Sequence, residues 1–278
     1  MGTLYLIATP IGNLEDISAR ALRILGEVRL IAAEDTRVSR KLLAHFYIHT
    51  PLTSYFEHNK LSKLHTILAA LAGGDVALVS DAGTPGLNDP GYELVRAALA
   101  AGHKVSPIPG PSAPVAALTA SGLPTDSFLY LGYLPRKPSE RRDFIEQVSN
   151  LSYTLIVLET PHRLLDSLAD LESILGDREI AIAREMTKIH EEIWREKVSK
   201  ARSHFKEPRG EFTLVVAGKT KAENTKWTDE QLHAAIRAGL EAGEAPSALA
   251  KRLAGESGWK RNEVYKVAIK IGKINHEP

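Results

Sequence analysis

Apolar positions along the first half of the chain fall into short unbroken runs separated by segments with helical spacing. Residues 4–8 (LYLIA) form one such run and stop at the Pro-Ile-Gly-Asn turn of residues 10–13. A strand buried on both faces reads this way. Asp16 or Ser18 is placed to cap a helix in which Ala21, Leu22, Ile24 and Leu25 keep the 3.6-residue period, ending at Gly26. Residues 28–33 make a second buried run, 61–71 a helix stopped by Gly73-Gly74, and 76–80 (VALVS) a third strand. A helix over 92–101 and a short strand over 105–108 follow. Strand and helix in alternation predict an α/β sheet.

Turn formers cluster at 121–127 (SGLPTDS), and the pattern then restarts. Strands are expected at 128–131, 152–158, 180–183 and 211–217, with an amphipathic helix over 164–175 closed by Gly176. A polar stretch, 218–226 (GKTKAENTK), ends this part. The remainder is helical: Thr228 and Gln231 make a capping box for a helix to Leu240, and 247–271 read as two helices joined at 255–258. That pair resembles a helix-turn-helix carrying Lys260, Arg261, Lys266 and Lys270. The plainer alternative is a small helical cap burying Leu249, Leu253, Val264, Tyr265 and Ile269. The expected organisation is therefore α/β over 1–120, a second α/β unit over 121–222, and a basic helical extension over 226–278.

Composition narrows the chemistry. The 278 residues are 44% hydrophobic and 25% charged, as in globular proteins. Without cysteine there are no disulfides, thiolate metal sites or cysteine nucleophiles. No run is long and apolar enough for a membrane span or export signal, which predicts a soluble, cytoplasmic protein. A net charge of +1 argues against a uniformly cationic nucleic-acid coat. The charge is nevertheless uneven, since residues 247–273 hold seven basic side chains against Glu256 and Glu263.

Three Gly/Pro-rich loops each follow an expected strand, at 9–13 (TPIGN), 81–91 (DAGTPGLNDPG) and 109–113 (PGPSA). Ligands of open α/β sheets gather beyond such strand ends. Neither a GxxxxGK[ST] phosphate loop nor a GxGxxG after the first strand is present, and no GxSxG supports serine hydrolysis. Asp81 can accept from an amine, while the amides behind it can bind a carboxylate, so a ligand with both groups suits this loop. His45 and His49 have a spacing that binds zinc on a helix. Phe46-Tyr47-Ile48 before Pro51 reads instead as a strand approaching a turn, and no metal is expected.

TLYLIATPIGNLEDIS at the start, AEDTR at 33–37, ALVSDAGTPGLNDPG at 77–91, PIPGPSA at 107–113, GYLPRK at 132–137, LETPHR at 158–163 and GEFTLVVAG at 210–218 together closely resemble one family. It is the ribosomal RNA small subunit methyltransferase I family, within the tetrapyrrole methylase superfamily. The resemblance covers about residues 3–218, and the helical tail also resembles extensions of bacterial members. It implies two α/β domains in a homodimer with S-adenosylmethionine in a cleft between them, acting on a cytidine ribose 2′-hydroxyl in the decoding region of 16S ribosomal RNA, free or in the assembled small subunit. It also implies cofactor contacts from Pro10, Ile11, Asp81, Gly83, Thr84, Ser112, Ala113, Glu159 and Thr213.

Candidate general bases are Glu34 and Asp35 in AEDTR, Asp89, and His162 in TPHR; for each, the structural reading as a salt-bridge partner or loop cap outweighs the catalytic one. Arg136, Lys137, Arg141 and Arg142 are candidate phosphate contacts opposed by Glu140, together with Arg37 beside Arg40 and Lys41, Arg163 after His162, and Lys260 and Arg261 in the tail. The alternative for each is a solvated face. Tyr133 is placed either to stack on a base or to fill a core. Two other functions use the same features: methylation of a tetrapyrrole, which leaves the basic tail without a purpose, and a non-catalytic helix-turn-helix regulator, which leaves the three loops without one.

Overall fold

The computed structural model describes residues 2–220 and 227–274 and divides into two compact units, 1–219 and 220–278. The end of the expected linker (221–226), the last residues of the second expected domain and the start of the third lie outside the described residues.

The first unit holds two sheets. Sheet one is wholly parallel, with β1 (Thr3–Ile7), β2 (Leu30–Ala33), β3 (Leu52–Ser54), β4 (Val76–Val79) and β5 (Lys104–Ile108) in the order β3-β2-β4-β1-β5. Helices α1 (Ala19–Glu27) and α2 (Thr36–His45) bury Ile24, Leu25 and Leu43 against Ile7, Ile31 and Val79 on one face. On the other, α3 (Lys60–Gly73) and α4 (Tyr92–Ala100) bury Ile67, Leu71 and Leu94 against Leu4, Ala32 and Leu78. Double cover explains why β4 is apolar at every position. Ser18 caps α1 by accepting from the Ala21 amide at 3.1 Å, while Asp16 sits in a 3-10 turn ahead of it.

Sheet two is mixed. β6 (Phe128–Tyr133), β7 (Thr154–Glu159), β8 (Glu179–Arg184), β9 (Glu192–Lys197) and β10 (Phe212–Val216) lie in the order β6-β7-β10-β8-β9, only β6 and β7 being parallel. α6 (Pro138–Val148), α7 (Leu164–Leu175) and α8 (Val198–His204) cover one face. The other is covered by α5 (Ala113–Ser121), whose Ala117 and Leu118 pack on Ile156, Ala181 and Val215. The chain thus passes to the second sheet before residue 113, ahead of the turn formers at 121–127.

Several expectations are corrected. Residues 46–48 are not strand: α2 runs to His45 and Tyr47 closes it at φ 55. β9 lies in a stretch read only as charged, because an edge strand needs one apolar face at most. In the second unit α9 (Asp229–Glu241), α10 (Pro246–Ser257) and α11 (Arg261–Ile274) enclose Leu232, Leu249, Leu253 and Val264. The Thr228–Gln231 capping box forms in both directions. Tyr265 is exposed and Ile269 only half-buried; Ala268 and Ile271 take the core positions instead.

Candidate active site

Because β4, β1 and β5 are neighbours in sheet one, their three Gly/Pro loops emerge side by side at one edge. Thr9 and Gly83 exchange backbone hydrogen bonds of 2.9 Å each way, and the Thr84 hydroxyl donates to the Pro111 carbonyl at 3.1 Å. Gly83 holds φ +81, where a side chain would be strained. Gly110 lies so close to Ala8 that a Cβ there would meet the alanine methyl at 3.0 Å. The loop after β2 joins them: the Asp35 amide donates to Asp81 at 2.9 Å, and the Asp81 amide points to Glu34 at 3.4 Å.

These loops face the ends of β6, β7 and β10 across a cleft of about 250 Å³. Of the expected cofactor contacts, Ile11, Asp81, Gly83, Thr84, Ser112 and Ala113 line it from the first sheet's side and Glu159 and Thr213 from the second's. Pro10 lines an adjoining cavity instead. The Glu159 carboxylate accepts from the Thr160 amide and the Ser167 hydroxyl and lies 3.5 Å from Arg163, so it reaches the cleft as wall rather than as free charge.

Of the general-base candidates, Glu34 and Asp89 line the cleft; Asp35 and His162 do not. Asp35 caps α2 and pairs with Arg37 at 2.6 Å, which holds its carboxyl down at about 2. Burial pushes Glu34 up, and the Asp89 and Asp81 charges add to this. Desolvation raises Asp89, with Asp81 adding repulsion, and desolvation likewise raises Asp81, which opens onto the cleft. Glu211 also lines the cleft, and no lysine or arginine does among the described residues. The site carries excess negative charge and suits a cationic ligand.

Tyr130, Asn88 and Leu87 are lining residues that the sequence did not reveal. Tyr130 donates to Asn88 at 2.6 Å, and burial pushes its phenol up to about 12. Tyr133 lines the cleft half-exposed, so it is not a core residue.

The basic cluster after β6 is mostly spent internally. Arg141 is 4% exposed and binds Asp170 at 2.6 Å, which removes it from the phosphate contacts. Lys137 pairs with Glu140 at 2.9 Å. Arg142 is exposed, 3.7 Å from Asp170, and Arg136 is exposed. Arg163 donates to the Leu134 and Pro135 carbonyls, so its guanidinium ties the start of α7 to the segment after β6. Lys260 and Arg261 are exposed at the start of α11, whereas Arg252 is held by Glu244 and Glu256.

A two-sheet unit with a cleft of this charge and loop arrangement defines a class. Residues 3–202 match the family model for Tetrapyrrole (Corrin/Porphyrin) Methylases, and the chain belongs to that family. It is 45% identical over 275 residues to the ribosomal RNA small subunit methyltransferase I of Synechocystis sp., covering 98% of this chain and 99% of the relative. The protein of the same name from Thermotoga maritima is 48% identical over 222 residues, which is 79% of this chain and all of the relative. That relative is about the size of the first unit alone. Among solved structures, uroporphyrin-III C-methyltransferase from Thermus thermophilus complexed with S-adenyl homocysteine shares the fold, with a TM-score of 0.54 at 19% identity over 78% of this chain and 97% of that one.

Proposed function

We propose that this chain methylates small-subunit ribosomal RNA, transferring a methyl group from S-adenosylmethionine to the ribose 2′-hydroxyl of a cytidine. The observation that carries the reading is the cleft itself, walled by Glu34, Asp81 and Asp89 with no lysine or arginine among the described residues facing them. The near-full-length relatives supply the substrate class.

The residues present fit such a cofactor. Asp81 is placed to receive an ammonium, the main chain at Thr84, beside the side-chain-free Gly83, to receive a carboxylate, and Ile11, Ser112, Ala113 and Thr213 to enclose the remainder. When bound, S-adenosylmethionine supplies an electrophilic methyl on a sulfonium whose positive charge disperses as the methyl moves to oxygen. Ligands seated in the cleft displace water from its walls, and the stitched loops keep the reactants aligned. Glu34 and Asp89, both raised foremost by desolvation, are the groups suited to hold the hydroxyl's proton. Exposed Arg136 and Arg142, Arg37 on α2, and Lys260 and Arg261 are candidates for phosphate contact. The family resemblance supports a homodimer working in the cytoplasm on free ribosomal RNA or the assembled small subunit. Among the described residues no helix is long and apolar enough to cross a membrane.

The test is transfer of labelled methyl from S-adenosylmethionine to small subunits lacking the modification, followed by nuclease mapping. Label in a single 2′-O-methylcytidine is the expected result. Cofactor binding without ribose labelling, or labelling of a uroporphyrinogen instead, overturns the reading.

A further inference from the structure

A second cavity, of about 220 Å³, adjoins the cleft and shares Asp81 with it. Helix α2 walls it with Val38, Ser39, Lys41 and Leu42, and the β1 loop with Pro10 and Leu14. Thr9 and Ser80 line it as well.

We propose that this cavity receives the base of the nucleotide being methylated, with α2 presenting the cations that meet the flanking phosphates. The proposal rests on the RNA methyl-transfer reading above. Size is the first argument, because an apolar cavity of about 150 Å³ holds a benzene-sized ring. This one has room for one ring with its exocyclic groups.

Surface chemistry is the second. Pro10, Leu14, Val38 and Leu42 give apolar walls for the faces of a flat ring, as pockets for an unstacked base require. Leu14 and Val38 are each 40% exposed, an apolar surface that an inserted base would cover.

Third, a polar edge waits inside. Ser80 is 2% exposed and lines the cavity, and its hydroxyl lies beside the Asp89 carboxylate, which it helps to hold down. The Thr9 hydroxyl is already spent on the Ser80 carbonyl at 3.1 Å. A hydroxyl both donates and accepts, so one that faces a carboxylate still has an acceptor for the edge of a base.

The fourth argument is charge. Arg37, Arg40 and Lys41 are exposed on α2, beside the mouth. Phosphates flanking an inserted nucleotide would meet them there. Finally, Asp81 forms the partition, held by the Asp35 amide at 2.9 Å. A base on one side of it leaves the attached ribose facing the cleft on the other.

Val38→Trp fills the mouth from a partly exposed position. With short oligoribonucleotides centred on the target cytidine, kcat/KM for methylation should fall at least tenfold, while S-adenosylhomocysteine affinity by calorimetry stays within twofold. A readout independent of turnover uses the same oligonucleotide carrying 5-iodocytidine at the target. Its photo-crosslink should map to residues 9–14 or 36–42 and vanish in Val38→Trp. Crosslinks elsewhere, or crosslinks that persist in the variant, overturn the proposal. An equal loss of S-adenosylhomocysteine affinity also overturns it, by assigning the cavity to the cofactor. If wild-type protein crosslinks as expected yet transfers no methyl to RNA, the base site stands and the methyl-transfer reading fails. As a second variant, Ser80→Ala should fold, as its thermal unfolding reads, while lowering kcat/KM severalfold. Unchanged kcat/KM removes the hydroxyl from base recognition.

Discussion

Replacing Arg141 by alanine tests whether the cluster after β6 serves stability or RNA. The residue is 4% exposed, and its Nε donates to Asp170 at 2.6 Å. Truncating one member of a buried ion pair costs roughly 3–5 kcal/mol, mostly because the other charge is left uncompensated. Here the Asp170 side chain keeps 13% exposure and Arg142 lies 3.7 Å away as a partial substitute. The expected loss is therefore at or just below the bottom of that range, about 2–3 kcal/mol. For a unit of this size that corresponds to a fall of about 5–10 °C in Tm. Chemical denaturation and calorimetry measure it, and the double variant Arg141→Met with Asp170→Leu should recover most of the loss. RNA affinity of the folded protein should keep its salt dependence. A phosphate contact would instead remove about 0.7–0.9 from the log–log salt slope. A stability change below about 1 kcal/mol, or a shallower salt slope, refutes the argument.

Asp81→Ala should weaken S-adenosylhomocysteine binding about 10- to 100-fold, as loss of a charge-assisted hydrogen bond does; unchanged affinity by calorimetry removes Asp81 from the site. Glu34, Asp81 and Asp89 are all raised, foremost by desolvation, so the folded protein holds their protons more tightly than the unfolded chain. Their contribution to stability is thus complete below the unfolded values and fades as pH rises through the folded ones. A bound cation reverses the shift, so cofactor binding near about pH 5 should release protons, read as a dependence of binding heat on buffer ionisation enthalpy. No such dependence would show that the trio does not face the ligand's charge. Gly132 sits at φ +66, and a Cβ there would meet the Asn88 side chain at 2.5 Å. Gly132→Ala should therefore cost about 1–2 kcal/mol and, by displacing Asn88 from Tyr130, raise KM for S-adenosylmethionine more than it lowers kcat. Arg136→Glu with Arg142→Glu should weaken RNA binding and leave cofactor affinity intact; an unmoved salt dependence would make both merely surface.

The tail has an energetic logic of its own. Gly239 on α9 faces Leu249 on α10 so closely that a Cβ would collide with its side chain. The capping box at Thr228 and the left-handed Gly258 between α10 and α11 are local devices that mark the same three-helix unit. The Thermotoga maritima relative, matched over its whole 222 residues, covers only 79% of this chain.

Periodicity alone determined most of the strands and the helices that pack on them, because residues buried on both faces of a sheet must be apolar without interruption, as in β4. It missed α6, and that error placed Arg141 among the RNA contacts. Read as a helix, the segment puts Arg141 on the face of Ile145 and Val148, so the signal of burial was present. The glycine-rich loops and Asp81 were legible because close backbone approach demands glycine and a lone acidic residue at a strand end invites a ligand. What only the tertiary structure decided was adjacency. Strand order brought the loops after β1, β4 and β5 together, carried Glu34 and Asp89 to Asp81, and set α2 against the β1 loop around a second cavity. Hydrogen bonds between strands distant in sequence, and the shared desolvation of carboxylates 34, 81 and 89, have no counterpart in local pattern.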